Sequence, residues 1–199
     1  MIKAVLFDYG GVLSPGGKNF RGSLAAMLGV DQDALNIDDL RNQLWNGQIS
    51  TESFFAKLSE RQGRPVLVED FLVASQIMEK YDLVYNLAQD IRQAGLKTAI
   101  LSNMYKTSAV ALRASGNYDN FDPVILSFQE GMAKPDLAIY HLACQKLGCQ
   151  PQEILFIDDQ ERFLLPAQQL GFHVIQAKQE EQIVADTKAL LLKENSLKL

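Results

Sequence analysis

Short apolar runs alternate along the chain with longer stretches in which apolar residues recur every three or four positions. Near-continuous apolar runs are typical of parallel strands that are buried on both faces. The longer stretches indicate amphipathic helices, which cover the faces of such a sheet. The pattern therefore predicts an α/β fold with five parallel strands, at residues 3–8, 97–101, 123–127, 153–157 and 172–176.

Two of the predicted helices have clear boundary signals, and a third is predicted from helical spacing. Apolar residues share one helical face over residues 82–94, and Gly95 follows as a C-terminal stop. A second helix is predicted to begin at Pro135, because proline is favoured at the first helical position, and to end at Gly148. Apolar residues at helical spacing predict a terminal helix around residues 183–191. These helices alternate with the strands, as a parallel sheet requires.

The interval between the first two strands departs from this alternation. Residues 15–80 contain no convincing strand and several helix starts in succession, one of them capped by Ser50. We therefore predict a core domain formed by residues 1–14 and 81–199, with an inserted helical cap domain at residues 15–80. One proline and two glycines at residues 15–17 predict a hinge at the entrance of the cap.

Aromatic and basic residues inside the insertion receive ordinary interpretations. Trp45, Phe54 and Phe55 have helical spacing, and we interpret them as packing within the cap and not as substrate contacts. Lys18 and Arg21 lie close enough to the start of the insertion to reach a second anionic group of a substrate. Neither is assigned to the site.

Polar residues stand where three of the predicted strands end. Because the carboxyl ends of parallel strands lie along one edge of a sheet, where ligand crevices form, we expect these side chains to lie close together. Glycines that follow the first strand leave its backbone free to approach a ligand. The residues are Asp8, followed by Gly10 and Gly11, after the first strand; Ser102 and Asn103 after the second; Asp158 and Asp159 after the fourth; and Lys134 before the helix at Pro135.

Each of these residues alone fits a structural role in a turn, a helix cap or a solvated surface. Adjacent carboxylates such as Asp158 and Asp159 repel each other, however, so their placement calls for a cation or for hydrogen bonds. Together the residues offer a nucleophilic carboxylate, groups that bind oxygen, a fixed positive charge and hard ligands for Mg²⁺. Those are the parts that a phosphoryl-transfer site requires.

Four segments, FDYGGVL, LSN, GMAKPDLAIY and FIDD, resemble in order and spacing the motifs of the haloacid dehalogenase (HAD) superfamily of hydrolases. The resemblance covers nearly the whole chain. The sequence is most similar to small bacterial phosphatases with a helical cap inserted after the first motif, a branch that also resembles the phosphatase domain of soluble epoxide hydrolases. It implies a Rossmann-like sheet with strand order 5-4-1-2-3.

The resemblance also implies a role for each residue in the hydrolysis of a small phosphorylated metabolite, of which a sugar phosphate is one candidate. Asp8 attacks phosphorus to give an aspartyl phosphate, whose charge Lys134 neutralises. Ser102 and Asn103 bind the transferring oxygens. The implied Mg²⁺ site is formed by Asp8, the backbone carbonyl of Gly10 and Asp159, with Asp158 beside them.

Two positions depart from the family pattern. The second residue after the nucleophile is commonly an Asp that acts as general acid and base, a contribution worth about 10²- to 10⁴-fold in rate, and here it is Gly10. Phe163 stands where an Asp or Asn usually supports the metal ligands. Two alternatives therefore stay open: a 2-haloacid dehalogenase, in which Asp8 displaces halide without a metal, and a non-catalytic phosphate-binding protein.

Composition narrows the class of partner. With 199 residues, 47% of them hydrophobic, the chain can bury the core of one domain with a small insertion. A net charge of −5 without clusters of Lys and Arg argues against nucleic acid as a partner. Apolar runs are too short to span a membrane, and Cys144 and Cys149 are interpreted as reduced thiols, so we expect a cytoplasmic enzyme. The sequence makes no prediction of the oligomeric state.

Overall fold

A computed structural model describes residues 1–16, 20–74 and 77–199. Its centre is a parallel sheet of five strands in the order β3-β2-β1-β4-β5, which confirms the predicted α/β fold and strand order. Gly17 of the predicted hinge and Lys18 lie outside the described residues. The strands are β1 (Ala4–Phe7), β2 (Lys97–Ser102), β3 (Val124–Leu126), β4 (Ile154–Asp158) and β5 (His173–Gln176).

Helices occupy both faces of the sheet and the interval after β1. The predicted helix over residues 82–94 is present, and Val84, Leu87, Ala88 and Ile91 are buried on one face of it. The helices are α1 (Phe20–Leu28), α2 (Asp38–Trp45), α3 (Thr51–Gln62), α4 (Val68–Ala74), α5 (Asp82–Gln93), α6 (Lys106–Ala114), α7 (Ser127–Glu130), α8 (Leu137–Leu147), α9 (Glu161–Gln169) and α10 (Glu180–Asn195), with one 3₁₀ turn at Pro151–Glu153.

Alternate residues of the central strand pack against different helices. Val5 and Phe7 of β1 belong to a buried cluster that includes apolar residues of α5 and α10. Ala4 and Leu6 face the other side, where α8 and α9 pack. Because strand side chains alternate between the two faces, a fully buried strand such as β1 can pack against helices on both sides.

The four helices that follow β1 have a buried cluster of their own. It includes Phe20, Phe54 and Phe55, and Tyr105 of the core also contributes to it. Ser50 caps α3, because its side chain accepts a hydrogen bond of 3.2 Å from the backbone N–H of Ser53. The packing within residues 20–74 agrees with the helical insertion, while the exact domain bounds stay a prediction.

One predicted helix start is wrong by two residues. α8 begins at Leu137 instead of Pro135, because the Asp136 side chain accepts a hydrogen bond from the Ala138 N–H and makes Asp136 the residue before the first turn. Both cysteines are free thiols, Cys149 buried and Cys144 half-buried. Within the described residues, no helix combines the length and the apolar character needed to cross a membrane.

Candidate active site

The register of the sheet brings Asp8 and Asp158 to the same level. Phe7 pairs with Ile157 of β4, so the residues that follow them, Asp8 and Asp158, emerge side by side at the carboxyl edge. Ser102 ends the strand on the other side of β1. All three side chains are buried, although Asp8 and Ser102 also line a cavity at this edge.

Lys134 completes the cluster from the loop before α8. Its ammonium nitrogen lies 3.0 Å from Asp8 Oδ1 and 2.5 Å from Asp158 Oδ2, and its side chain is fully buried. Burial favours the neutral amine, but the charges of Asp158 and Asp8 outweigh it and raise the pKa of Lys134. The lysine is therefore a fixed positive charge next to the Asp8 carboxylate.

Asp158 is the partner that holds this lysine in place. One of its carboxylate oxygens accepts the hydrogen bond from Lys134, and the other accepts one of 2.8 Å from the backbone N–H of Gln160. Burial raises the pKa of Asp158, whereas the lysine charge lowers it. Because both oxygens have protein partners, Asp158 is a less available metal ligand than its neighbour Asp159.

Asp159 has a buried carboxylate oxygen, Oδ1, without a hydrogen-bond partner. Burial, followed by the charges of Asp8 and Asp158, raises the pKa of Asp159 to about 7. Oxygens of the three carboxylates lie within 4.8 Å of one another. A divalent cation would give the unpartnered oxygen a partner and would reduce the repulsion between the three carboxylates. Carboxylate oxygens are ligands that suit Mg²⁺. The donor set therefore fits this ion.

Gly11 permits the close approach of Asp159. Its φ is +78°, and a Cβ atom placed there would lie 2.8 Å from Asp159 Cγ. Only glycine combines that backbone conformation with that contact. The sequence indicated a permissive backbone at this position, but the reason for it, the packing of a carboxylate against the turn, is visible only in the structure.

The Asn103 side chain, which the resemblance assigns to the transferring oxygens, is hydrogen-bonded to the backbone of Lys134. The Asn103 amide donates to the Lys134 carbonyl at 2.9 Å and accepts from the Lys134 N–H at 2.8 Å. Both polar ends of the side chain are therefore engaged by the backbone of the lysine. Ser102, by contrast, lines the cavity without a comparable bridge.

Phe163 covers the lysine. Its ring centroid lies 5.1 Å from Lys134 Nζ, and that of Phe156 lies 5.2 Å away, so the ammonium contacts two aromatic rings. The Tyr140 hydroxyl donates to the Phe163 carbonyl at 2.8 Å and fixes this part of α9. The residue that departs from the family pattern thus keeps water from the lysine and lines the cavity.

These polar groups form one end of a cavity between the sheet edge and the inserted helices. Trp45 packs against the cap cluster, as predicted, but sequence reasoning missed that it also lines this space, and Gln160 carried no signal at all. Helical spacing identifies a buried face but not whether a cavity lies beneath it. The lining residues are Asp8, Gly10, Ser102, Asn103, Lys134 and Gln160 at the polar end, and Phe20, Trp45, Phe71, Ile77, Met104, Tyr105 and Phe163 elsewhere.

Comparisons with known proteins agree with this geometry. Acyl-CoA dehydrogenase family member 10 of Mus musculus is 31% identical over 203 residues, which cover 95% of this chain and 19% of the mouse protein. D-ribitol-5-phosphate phosphatase of Bacteroides thetaiotaomicron is 24% identical over 88% of this chain and 92% of its own. The solved structure of a predicted HAD-like family hydrolase from Porphyromonas gingivalis is 25% identical and has a TM-score of 0.81, covering 96% of this chain and 98% of its own.

The chain thus spans about a fifth of the length of its mouse relative, at 19%, but nearly all of the bacterial phosphatase. A family model described as haloacid dehalogenase-like hydrolase matches residues 2–171, which include every residue of the carboxylate and lysine cluster. The sheet order and the carboxyl-edge site agree with that match. The chain belongs to the haloacid dehalogenase-like hydrolase family.

Proposed function

We propose that this hydrolase is a Mg²⁺-dependent phosphatase that acts on a small phosphorylated metabolite through an aspartyl phosphate on Asp8. The observation that carries the proposal is the cluster of Asp8, Asp158 and Asp159 around the buried Lys134 ammonium, at the polar end of a cavity. The relative named as a D-ribitol-5-phosphate phosphatase supports phosphate-ester chemistry.

The charges of the cluster support a metal-dependent reaction. Its three carboxylates face one ammonium group, so ionisation of all three gives an excess of negative charge. A phosphate dianion would add to that repulsion in a buried site. Asp8, Asp159 and the carbonyl of Gly10, with Asp158 beside them, would hold Mg²⁺, which would supply positive charge to stabilise the phosphoryl oxygens.

The nucleophile is the Asp8 carboxylate. One of its oxygens bonds to phosphorus while the bond from phosphorus to the leaving alcohol breaks, and the alkoxide takes a proton from water. Lys134 neutralises charge on the aspartyl phosphate, and Ser102 donates its hydroxyl to a phosphoryl oxygen. Water then attacks phosphorus, which releases inorganic phosphate and restores the carboxylate.

Asn103 acts through the lysine in this proposal. Its side chain is bonded at both ends to the Lys134 backbone, so it positions the ammonium next to Asp8. Contact with a phosphoryl oxygen then falls to the backbone of Asn103 and not to its amide. The resemblance to the family identifies Asn103 as a site residue. The hydrogen bonds of its side chain favour a positioning role for the amide and a phosphoryl contact for the backbone.

Protonation of the leaving group is the step for which this chain is poorly equipped. Among the described residues that line the cavity, Asp8, Lys134 and Tyr105 have ionisable side chains. Burial raises the pKa of Tyr105, so its phenol holds its proton. With Gly10 in place of an acid, turnover should depend strongly on the leaving group, and p-nitrophenyl phosphate is the suitable first substrate.

The first test compares the wild type with Asp8→Asn. We expect phosphate release from p-nitrophenyl phosphate in the presence of Mg²⁺, no release in EDTA, and a loss of at least about 10³-fold in the variant, because an amide is a much weaker nucleophile than a carboxylate. Asp90→Asn, an exposed change on α5, is the matched control and should retain full activity. Circular dichroism checks that both variants fold.

The same assay separates the two alternatives. Chloride release from 2-chloropropionate that persists in EDTA would identify a dehalogenase. Binding of Mg²⁺ and inorganic phosphate without any turnover would identify a phosphate-binding protein. Activity that survives Asp8→Asn would falsify the aspartyl-phosphate mechanism.

A further inference from the structure

The cavity has a polar end and an apolar end. The carboxylates, Lys134 and the hydroxyl and amide groups lie at the polar end, where the phosphoryl group binds in the proposed function. The described residues that the inserted helices and the segment after them contribute to the cavity are all apolar. They are Phe20 from α1, Trp45 from α2, Phe71 from α4, and Ile77.

The aromatic side chains form a continuous wall. The ring centroid of Phe20 lies 5.0 Å from that of Phe71, 5.9 Å from that of Tyr105 and 6.1 Å from that of Trp45. All three pairs have edge-to-face geometry. Phe20, Phe71 and Tyr105 are buried, so their positions are fixed by packing on several sides. The wall is therefore a preformed surface against which an organic group can pack.

The core continues this wall. Met104 and Phe163 line the cavity next to the aromatic cluster. Phe163 also covers Lys134, so the apolar surface begins close to the phosphoryl position. A polyol in this space would lose its hydration and find few polar groups among the described lining residues beyond the phosphate end. An aromatic or alkyl group would instead exchange water for van der Waals contacts.

We propose that the group esterified to phosphate in the substrate is apolar, aromatic or alkyl, and carries no sugar-like array of hydroxyls. This inference rests on the proposed function, because it places the phosphate at the polar end of the cavity. It also replaces the sugar phosphate that was one candidate from sequence. The apolar wall selects the substrate, while the carboxylates and the lysine perform the reaction.

The test uses substrates with closely similar leaving groups. Phenyl phosphate, 4-propylphenyl phosphate and O-phosphotyrosine all release a phenol, and the last two differ in whether the three-carbon substituent carries charges. We expect kcat/KM to rise at least tenfold from phenyl to 4-propylphenyl phosphate, since each buried methylene contributes about fourfold. O-phosphotyrosine should fall below phenyl phosphate, because its ammonium and carboxylate would be desolvated.

A second comparison addresses the polyol directly. Hexyl phosphate and sorbitol 6-phosphate are both primary six-carbon esters, and the polyol is the better leaving group. We expect hexyl phosphate to be preferred at least tenfold in kcat/KM despite that chemical disadvantage. Equal rates, or a preference for the polyol, would overturn the inference while leaving the phosphatase proposal intact.

Variants at Trp45 connect the preference to the wall. Trp45→Gln should reduce the ratio of 4-propylphenyl phosphate to O-phosphotyrosine activity about fivefold or more, whereas Trp45→Leu, which stays apolar, should retain most of it. Leu83→Gln changes an exposed leucine on α5 outside the cavity and should leave the ratio unchanged. A ratio that Trp45→Gln leaves unaltered would contradict the assignment of this wall.

Failure of the proposed function has a different outcome. If none of these esters nor p-nitrophenyl phosphate is hydrolysed, the phosphatase proposal fails. Calorimetric titration of the Mg²⁺-loaded protein with methyl-, butyl- and hexylphosphonate then tests the apolar wall without turnover. Affinity that rises with chain length supports the inference, and affinity that is absent or independent of length overturns it.

Discussion

The residues around Lys134 show how one charge is fixed in a buried place. Asp8 and Asp158 attract the ammonium, Asn103 bonds to its backbone, and the ring of Phe163 covers it. Each contact comes from a different segment of the chain. Because several contacts fix the lysine, it need not reorganise in the proposed reaction when charge develops on a phosphoryl group, and such preorganisation lowers a barrier.

Gly11 has no side chain, and this allows Asp159 to pack against the turn after β1. We predict that Gly11→Ala changes one of two quantities by about 10- to 100-fold, because the new methyl group would displace Asp159. Either the Mg²⁺ concentration needed for half-maximal activity rises, or the activity at saturating Mg²⁺ falls. The matched control is Gly95→Ala, which has a similar positive φ of +89° but nothing within 4 Å of the added atom. Mg²⁺ titration of p-nitrophenyl phosphate hydrolysis measures the difference.

Gly10 is the residue at which an acid can be restored. The backbone of Gly10 lies outside the left-handed region, so its conformation does not disfavour a side chain, and the residue lines the cavity. We predict that Gly10→Asp raises the rate for phenyl phosphate relative to p-nitrophenyl phosphate by about tenfold or more, since the poorer leaving group gains more from protonation. Gly10→Asn is the matched uncharged variant, and an equal gain there would contradict the explanation.

At the scale of elements, α2 and α7 form one of the contacts between the inserted helices and the sheet domain. The turn after α2 approaches α7 so closely that a Cβ atom on Gly47 would lie 2.4 Å from the Phe128 carbonyl oxygen. Trp45, two residues earlier, lines the cavity. The close approach of these two backbones therefore positions one wall of the site.

Gly47→Ala should consequently separate α2 from α7. We predict a fall of about tenfold in kcat/KM for 4-propylphenyl phosphate, because Trp45 would move with the turn and a misplaced wall loses contact with the substrate. Gly63→Ala is the matched control, with a φ of +64° at the end of α3 and nothing within 4 Å. A similar loss in both variants would attribute the effect to backbone strain alone.

At the scale of the whole molecule, the two ends of the described chain are joined. Asn195, at the end of α10, accepts a hydrogen bond of 3.0 Å from the Ile2 N–H and donates one of 2.7 Å to the Ile2 carbonyl. Ile2 is buried beside β1, the central strand that leads to Asp8. The C-terminal helix thus supports the start of the strand that positions Asp8, the proposed nucleophile.

Asn195→Ala should lower the free energy of unfolding by about 1–2 kcal/mol, because two hydrogen bonds are lost at a partly buried site. The catalytic cluster lies at the other end of β1, so activity at 25 °C should stay within a factor of about two. Urea denaturation followed by circular dichroism measures the stability. Gln168→Ala, an exposed amide on α9, is the control and should leave it unchanged within about 0.5 kcal/mol.

The sequence by itself determined the class of fold and the place of the site. Buried strands must be apolar over their whole length, so five short runs separated by helical periods specify a parallel sheet. The confirmed order β3-β2-β1-β4-β5 came from resemblance, and so did the hydrolase family. Polar residues at strand ends located Asp8, Ser102 and Asp158 at one edge, because all parallel strands end on the same side.

Only the tertiary structure decided how these residues are used. Contacts between distant segments decide three features of the site. Asn103 bridges to Lys134, Phe163 covers the lysine, and Trp45 lines a cavity as well as packing inside the cap. Local spacing records which face of an element is apolar, but it does not record what that face meets. The polar groups of the site were therefore visible in the sequence, and the shape of the cavity beside them was not.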